Sequence, residues 1–227
     1  MLSIGNCILG EVPRVVAIID EFFSAEKILS LKSRGADLLE MRIDCYSSST
    51  ESVVEYLEKT RTAVSLPMIG TVRENEWTGK KRVELFEAIM PFVDCIDLEL
   101  GTPISDTVRS FAKDKVIIVS EHDFQKTPDE SSLNDIVTRS VDQGADIVKI
   151  AVMADSIEDV RRLFWFTQQC SVPVVTIAMG AIGTVSRVIA PVFGSLFTYG
   201  YIDKPVAPGQ LSVIKLLDEL KLFFPGR

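Results

Sequence analysis

Histidine and clustered cysteine are scarce in this sequence, which limits the metal and redox chemistry it can carry. Its 227 residues include one histidine and four cysteines. The cysteines form no C-x-x-C pair and have no H-x-x-x-H companion, so their spacing fits neither a zinc site nor a thioredoxin motif. We therefore expect no metal, and we expect buried, reduced thiols in a cytoplasmic protein. The four are Cys7, Cys45, Cys95 and Cys170.

Long apolar runs and an excess of positive charge are also lacking. No run approaches the ~20 residues of a membrane helix, and no basic segment leads an apolar one at the N-terminus. We therefore expect neither a membrane span nor a signal peptide. The 24 basic and 32 acidic residues give a net charge of −8, which disfavours nucleic-acid binding because that requires a basic face. The hydrophobic share of 47% is that of a globular protein and excludes a disordered or collagen-like chain.

Short apolar runs alternate along the chain with longer segments of helical period. Several runs are rich in Val and Ile and apolar almost throughout, which is typical of parallel strands covered on both faces. The eight runs are Arg14–Asp20, Asp37–Cys45, Met68–Arg73, Cys95–Leu100, Val116–Ser120, Asp146–Met153, Val174–Met179 and Leu196–Ile202.

The segments between the runs carry helical stripes and helix-ending glycines. Two helices are predicted over Ser156–Cys170 and Ala207–Leu220, and Gly35, Gly144 and Gly194 stand where C-terminal caps would fall. The stripe of another helix, with apolar or small side chains at spacings of three and four, consists of Leu133, Ile136, Val137, Ser140 and Val141.

Eight strand–helix units without an intervening linker predict a (β/α)₈ barrel, with residues 1–227 forming a single domain. The alternative is an open doubly wound sheet, which usually has fewer strands and a glycine-rich first turn; no such turn follows the first run. Residues 1–13 lie outside the repeat, and we expect them to form a hairpin that closes the barrel floor.

Lys149 and His122 are the polar residues of greatest chemical interest. Lys149 interrupts the apolar sixth run, where a lysine is either paired or held neutral because burial lowers its pKa. A neutral amine is a nucleophile that can form a Schiff base, whereas a paired lysine is structural, and both interpretations remain open. His122 follows the fifth run, one strand from Lys149, and is either a structural residue or a proton-transfer group.

Four further charged residues lie in strand runs. Glu40 and Arg42 alternate along the second run and therefore point to the same side. If that side is the interior, they form an ion pair that either holds a polar substrate or is purely structural. Asp97 and Glu99 likewise share a face near the end of the fourth run.

Arginines and glycines stand at the predicted catalytic rim. Arg73 ends the third run and Arg187 follows the seventh; together with Arg42 they predict an anionic substrate, because arginine binds carboxylates with two hydrogen bonds. The glycine-bearing segments 179–183 and 207–210 are candidates for a phosphate cradle and a substrate cover. The basic cluster Gly79–Arg82 is predicted to be the solvent-exposed start of a helix.

Taken together, these segments resemble type I 3-dehydroquinate dehydratase, the Schiff-base family of the shikimate pathway. The similarity spans all eight units in order. The matching segments are Glu40–Asp44, Thr71–Arg73, Ile96–Glu99, Ser120–Phe124 with Thr127 and Pro128, Gly144–Lys149, Met179–Gly180, Gly183, Ser186–Arg187, Gly194–Ser195, Thr198 and Ala207–Gln210.

The resemblance implies dehydration of 3-dehydroquinate to 3-dehydroshikimate, on the route to chorismate and the aromatic amino acids, without metal or organic cofactor. It also implies a homodimer. By analogy, Lys149 forms an imine with the substrate ketone, His122 acts as general acid and base, and Arg187 pairs with the substrate carboxylate. The residues that hold the ring hydroxyls and orient the imine are then Glu40, Arg42, Arg73 and Gln210.

Two positions depart from the family pattern. The family often has a glutamate on a mobile loop after the third-strand arginine, and we expect Glu76 to take its place. A serine often precedes the Ala-Pro-Gly-Gln motif and contacts substrate, whereas this chain has Val206.

Two other functions fit the same residues. A class I aldolase on this fold also uses a lysine imine on the sixth strand, with Arg187 binding a sugar phosphate. The second alternative is a barrel without catalytic activity that binds a carboxylate metabolite. Formation of a conjugated enone separates the dehydratase from the aldolase, and borohydride trapping on Lys149 separates either enzyme from the silent protein.

Overall fold

The computed structural model describes residues 2–226, which contain ten strands in two sheets. The first two strands pair antiparallel, and the other eight form one parallel sheet. The strands are β1 (Ser3–Ile4), β2 (Cys7–Ile8), β3 (Arg14–Ile19), β4 (Leu38–Arg42), β5 (Met68–Thr71), β6 (Cys95–Glu99), β7 (Val116–Asp123), β8 (Ile147–Met153), β9 (Val174–Met179) and β10 (Phe197–Gly200).

Helices connect the strands of the parallel sheet. Short 3₁₀ turns at Ile43–Cys45, Gly79–Lys81, Met90–Phe92 and Ala190–Phe193 supplement them. Within residues 2–226 the α-helices are α1 (Ala25–Arg34), α2 (Thr50–Val64), α3 (Arg82–Ile89), α4 (Ser105–Phe111), α5 (Glu130–Asp142), α6 (Ile157–Gln169), α7 (Gly180–Gly183), α8 (Ser186–Ile189) and α9 (Val213–Phe223). In that part of the chain, no helix has the length and apolar character needed to cross a bilayer.

The parallel sheet curls into a nearly closed barrel. Strands β3 to β9 are neighbours in sequence order, and β10 returns to pair with β3. The Leu196 N–H donates to the Val174 carbonyl at 3.0 Å, which joins the start of β10 to that of β9. An open doubly wound sheet would reverse its strand order in the middle. The predicted (β/α)₈ barrel is therefore confirmed.

The N-terminal hairpin covers the floor of this barrel, as predicted. Ile4 pairs with Cys7, and both are buried in the cluster of apolar side chains that fills the barrel interior. Gly5 at the turn approaches Pro67 and Asp94, which precede β5 and β6 at the amino ends of the strands. The hairpin thus keeps water from the apolar lower layer.

The helix predictions hold in part. In α5 the stripe residues Leu133, Ile136 and Ser140 are buried, but Val141 is 44% exposed, so the buried stripe is narrower than predicted. Gly194 is left-handed with φ 104°, as a C-terminal cap requires.

The helix predicted over Ala207–Leu220 begins later. α9 starts at Val213, where the Ser212 side chain caps the helix by accepting from the Lys215 N–H. The preceding segment, residues 201–212, is a loop, and in it Gly209 adopts φ +70°, which a helix does not permit. The prediction of buried thiols holds for Cys7 and Cys95 and is wrong for the other two, because Cys45 is exposed and Cys170 is only partly buried.

Candidate active site

A cavity of about 420 Å³ opens at the carboxyl ends of the barrel strands. Strand alternation turns every second side chain inward, so polar residues from several strands meet there. Of the site residues predicted from the sequence, those that line the cavity are Glu40, Arg42, Arg73, Glu99, His122, Lys149, Arg187, Val206 and Gln210. Asp97 lies beneath them, fully buried, and Glu76 lies outside.

Lys149 occupies the middle of β8, with 5% of its surface exposed. Its Nζ lies 2.8 Å from Asp97 Oδ2 and 3.5 Å from Glu40 Oε1. It also stands over the Tyr199 ring, 4.3 Å from the centroid. The amine is thus held by two carboxylates and an aromatic face while remaining in contact with the cavity. This geometry contains the ion pair expected of a structural lysine and places the amine where a substrate would bind.

Asp97 is the hub of the charged groups beneath the cavity. Its Oδ1 accepts from Arg73 Nη2 at 2.7 Å and from Ser120 Oγ at 2.6 Å, while Oδ2 faces Lys149. Burial by itself raises the pKa of this carboxyl, but Arg73 and Lys149 outweigh burial and hold the pKa well below its usual range. Asp97 therefore stays ionised beside the amine.

The predicted Glu40–Arg42 ion pair is wrong, although both side chains line the cavity. Arg42 instead donates two hydrogen bonds to Asp44, at 3.0 and 2.6 Å. The 3₁₀ turn at Ile43–Cys45 brings Asp44 back against its neighbour. Glu40 lies one layer deeper, where Thr71 Oγ1 donates to it at 3.0 Å and Lys149 approaches from across the barrel.

His122 lies near the end of β7, one layer above Lys149. Strand register pairs Ser120 with Lys149 and His122 with Ala151, so the imidazole stands nearer the mouth than the amine. Its ring stacks on Phe124 with an interplanar angle of 14°. Burial, together with the positive charges of Arg73 and Lys149, lowers the pKa of His122 to about 3. The imidazole is therefore neutral at neutral pH and able to accept a proton.

The depressed pKa of His122 predicts an acid-sensitive fold. In the unfolded chain a histidine titrates near ~6.5, whereas in the folded chain His122 titrates at about 3. Between these values the unfolded state binds the extra proton, so the free energy of unfolding falls as pH decreases from 6.5 towards 3. His122→Asn should lose less stability than wild type over this window in urea titrations. Because no other histidine is present, equal losses would contradict the shift.

Arg187 is a buried cation without a counter-ion. It belongs to α8, is 2% exposed and lines the cavity. Within residues 2–226 no carboxylate pairs with it, its Nε has no acceptor, and Nη2 only reaches the Pro208 carbonyl at 3.5 Å. Burial lowers the pKa of this guanidinium to about 10. Burying a charge without a partner is costly, and an anionic ligand would offset that cost.

The two glycine-bearing segments pack against each other above the cavity. A Cβ on Gly209 would lie 2.1 Å from the Gly180 carbonyl oxygen, so only glycine permits this contact. The Gly180 N–H donates to the Pro208 carbonyl at 3.3 Å. Gln210 Oε1 accepts from the Val206 N–H at 2.9 Å, which leaves the amide NH₂ for a ligand. The segment 201–212 is thus tied to the start of α7, directly after β9.

Two residues of the segment after β5 lie elsewhere than expected. Glu76 is exposed and outside the cavity lining, because Asn75 Oδ1 accepts from the Trp77 and Thr78 N–H groups and fixes the turn. Arg82, predicted to be solvated, is 4% exposed and donates to the Val72 carbonyl at 3.0 Å. Among the described residues, no group of three metal-ligating side chains forms.

Comparison with known proteins agrees with this architecture. A family model described as type I 3-dehydroquinase matches residues 18–226. A 3-dehydroquinate dehydratase of Methanocella arvoryzae is 39% identical over 92% of this chain and 96% of its own length. One of Methanococcoides burtonii is 38% identical, covering 98% and 99%. The crystal structure of type I 3-dehydroquinate dehydratase from Clostridium difficile with covalent modified comenic acid superposes with a TM-score of 0.87 at 29% identity, covering 99% of this chain and 98% of that one.

Proposed function

Because the chain belongs to the type I 3-dehydroquinase family of hydro-lyases, we propose that it converts 3-dehydroquinate to 3-dehydroshikimate through an imine on Lys149. One observation carries the proposal: a buried amine and a neutral imidazole on adjacent strands line one cavity. The 3-dehydroquinate dehydratase relatives and the covalently modified structure from Clostridium difficile support it.

The first step joins the substrate to the protein. The Lys149 ammonium passes a proton to neutral His122, and the resulting amine attacks the ketone carbon. His122 returns that proton to the hydroxyl of the adduct, which leaves as water and gives a protonated imine. The positive charge stays on the same nitrogen, so Asp97, 2.8 Å away, stabilises the iminium as it stabilises the ammonium. The site therefore needs no rearrangement of charge when the covalent bond forms.

The second step eliminates the hydroxyl. Neutral His122 removes a proton from the carbon beside the imine carbon, and the electron pair moves into the iminium to give an enamine. The enamine then expels the β-hydroxyl, which His122 protonates so that it leaves as water. Hydrolysis of the conjugated iminium returns the amine and releases the enone, so one water is lost overall.

The remaining residues bind and orient the substrate in this proposal. Arg187 holds the carboxylate, and the ring hydroxyls contact Glu40, Arg42, Arg73 and the free NH₂ of Gln210. Val206 supplies an apolar contact at the cover, since its N–H is already bound to Gln210. Glu76 lies outside the cavity lining, and its role as the loop glutamate stays a prediction from the family pattern.

Borohydride reduction with peptide mapping tests the proposal. With 3-dehydroquinate present, reduction should add the mass of the reduced substrate to the peptide that contains Lys149. Formation of a conjugated enone, followed by absorbance, identifies dehydration; trapping without enone indicates an aldolase. If the experiment shows no trapped substrate and no enone, the proposed function is overturned in favour of a silent carboxylate-binding barrel.

Replacing Arg187 with Met should weaken binding and stabilise the free protein. Quinate, which has a hydroxyl in place of the ketone, is a suitable probe because it cannot form an imine. Loss of charged hydrogen bonds should raise its Kd by about tenfold to a hundredfold. Removing an unpaired buried charge should raise Tm by about 2–4 °C, the shift that ~1 kcal/mol causes in a chain of this size. Unchanged quinate binding in isothermal calorimetry would contradict the carboxylate role.

On the family resemblance, we also propose a cytoplasmic homodimer acting in aromatic amino acid biosynthesis. The rings of Phe164 and Phe193 stack with centroids 4.7 Å apart, and their sequence neighbours Trp165 and Val192 are exposed, so this region is our candidate for the subunit contact. Light scattering should then give twice the 25.1 kDa mass of one chain.

A further inference from the structure

A series of side chains with alternating charge extends from the cavity to the outside of the barrel. Each member lies within 4 Å of the next, and the series passes from the proposed nucleophile to a residue outside the cavity lining. Its members are Lys149, Asp97, Arg73, Glu99 and Arg82.

Arg73 stands between two carboxylates in this series. Its Nη2 donates to Asp97 Oδ1 at 2.7 Å, whereas its Nη1 lies 3.8 Å from Glu99 Oε2, too far for a hydrogen bond. Among the described residues, Nη1 is buried without any hydrogen-bond acceptor. Arg73 therefore carries an unused donor beside Glu99, and the two carboxylates attract the guanidinium in different directions.

Arg82 occupies the oxygen of Glu99 that Arg73 would bind. Its Nη2 donates to Glu99 Oε2, and its Nε donates to the Val72 carbonyl at 3.0 Å, which fixes the guanidinium against the end of β5. Arg82 is 4% exposed, and its Nη1 also reaches Glu74 at 3.4 Å. Glu99 is thus held on the outer side, away from Arg73.

We propose that Arg82 is a positioning residue that keeps Glu99 from capturing Arg73. Without Arg82, Glu99 would be a half-buried carboxylate lacking its main partner, and a movement of about 1 Å would bring it into hydrogen-bond range of Arg73 Nη1. The new bond would draw the Arg73 guanidinium towards Glu99 and shift it from its present position against Asp97 and the cavity wall. The inference rests on the proposed function in one respect: the role of Arg73 in binding the substrate.

The variant Arg82→Gln tests this role. We expect the Kd for quinate to rise by about tenfold to a hundredfold, the scale of one charged hydrogen bond, and KM for 3-dehydroquinate to rise with it. kcat should change less than KM. Lys81→Gln, which removes an exposed positive charge from the preceding residue, should bind quinate as wild type does.

The double variant Arg82→Gln/Glu99→Gln separates competition from simple structural support. With the freed carboxylate gone, Arg73 has only Asp97 to bind, so most of the quinate affinity should return. If Arg82 merely supports the fold, the double variant should bind no better than Arg82→Gln, and that result would overturn the proposal.

Glu99→Gln alone keeps the test decisive if Arg82→Gln does not fold. It removes the competitor and should bind quinate at least as tightly as wild type; weaker binding would overturn the proposal. The two hypotheses fail differently. If wild-type protein binds quinate but forms no enone from 3-dehydroquinate, the proposed dehydratase is refuted and this binding test stays valid. If wild type is active but the double variant does not recover quinate binding, only the role of Arg82 is refuted.

Discussion

Lys149→Met should abolish borohydride trapping and lower kcat with 3-dehydroquinate by on the order of 10⁴-fold or more, the scale reached when a covalent nucleophile is lost. The thioether cannot attack the ketone, and without the imine no electron sink forms for the carbanion. Loss of the substrate-derived mass on this peptide and loss of enone formation are the two measurements. Both follow from one missing nitrogen at the centre of the cavity.

The side effect of Lys149→Met is on stability. Asp97 keeps Arg73 and Ser120 as partners, and Glu40 keeps Thr71, yet both buried carboxylates lose the ammonium. Removing one member of a buried ion pair typically costs about 3–5 kcal/mol. An inactive Lys149→Met protein must therefore be shown to be folded before its inactivity is assigned to chemistry.

Lys149→Arg is the matched control for charge. The guanidinium preserves a cation beside Asp97 and Glu40 and so retains more of the stability, but it stays protonated at working pH and cannot act as a nucleophile. We expect this variant to be folded and inactive. If it turned over substrate within tenfold of wild type, or if borohydride still trapped substrate on another lysine, the imine would not be on Lys149.

The architecture follows from local patterns that survive in the fold. Apolar runs such as Val116–Ser120 and Val174–Met179 predict strands, and strand alternation explains why Lys149 and His122 share a cavity. The barrel itself follows from the repetition of the strand–helix unit, which no later packing contradicts. Features that repeat along the sequence, such as the strands and the barrel, can therefore be predicted before the structure is known.

Ion pairs and hydrogen bonds between residues that are far apart in the sequence cannot be predicted in the same way. Arg42 and Glu40 have the right spacing for a pair, but each finds a better-placed partner, in a 3₁₀ turn and on an opposite strand. Arg82 belongs to a basic cluster whose sequence predicts exposure to solvent. Its side chain is nevertheless buried, because it donates a hydrogen bond to Glu99, 17 residues away. The missing counter-ion of Arg187 is likewise a property of packing, because burial and the positions of all nearby carboxylates decide it.

His122→Ala should lower kcat by about 10²- to 10⁴-fold, the usual contribution of general acid–base catalysis, while borohydride still traps substrate on Lys149. The amine keeps Asp97 and the Tyr199 ring, so imine formation slows but does not stop. Removal of the proton beside the imine then becomes rate-limiting. A primary deuterium isotope effect on kcat, larger than in wild type, should appear with substrate deuterated at that carbon.

Phe124→Leu is the matched control for loss of the aromatic contact at His122. It removes the stacked ring but keeps the base, so its kcat should fall far less than that of His122→Ala. Added imidazole should partly restore His122→Ala and should not affect Phe124→Leu.

The pH profile gives an independent test of the same residue. Because burial and neighbouring cations hold the pKa of His122 at about 3, the free enzyme already carries a neutral base at pH 5. kcat/KM, which reports groups of the free enzyme, should therefore show no acidic limb from His122 between pH 7 and 4. A limb near pH 6.5 that disappears in His122→Ala would mean that the imidazole is solvated and its pKa is not depressed. Full activity of His122→Ala would mean instead that another group removes the proton.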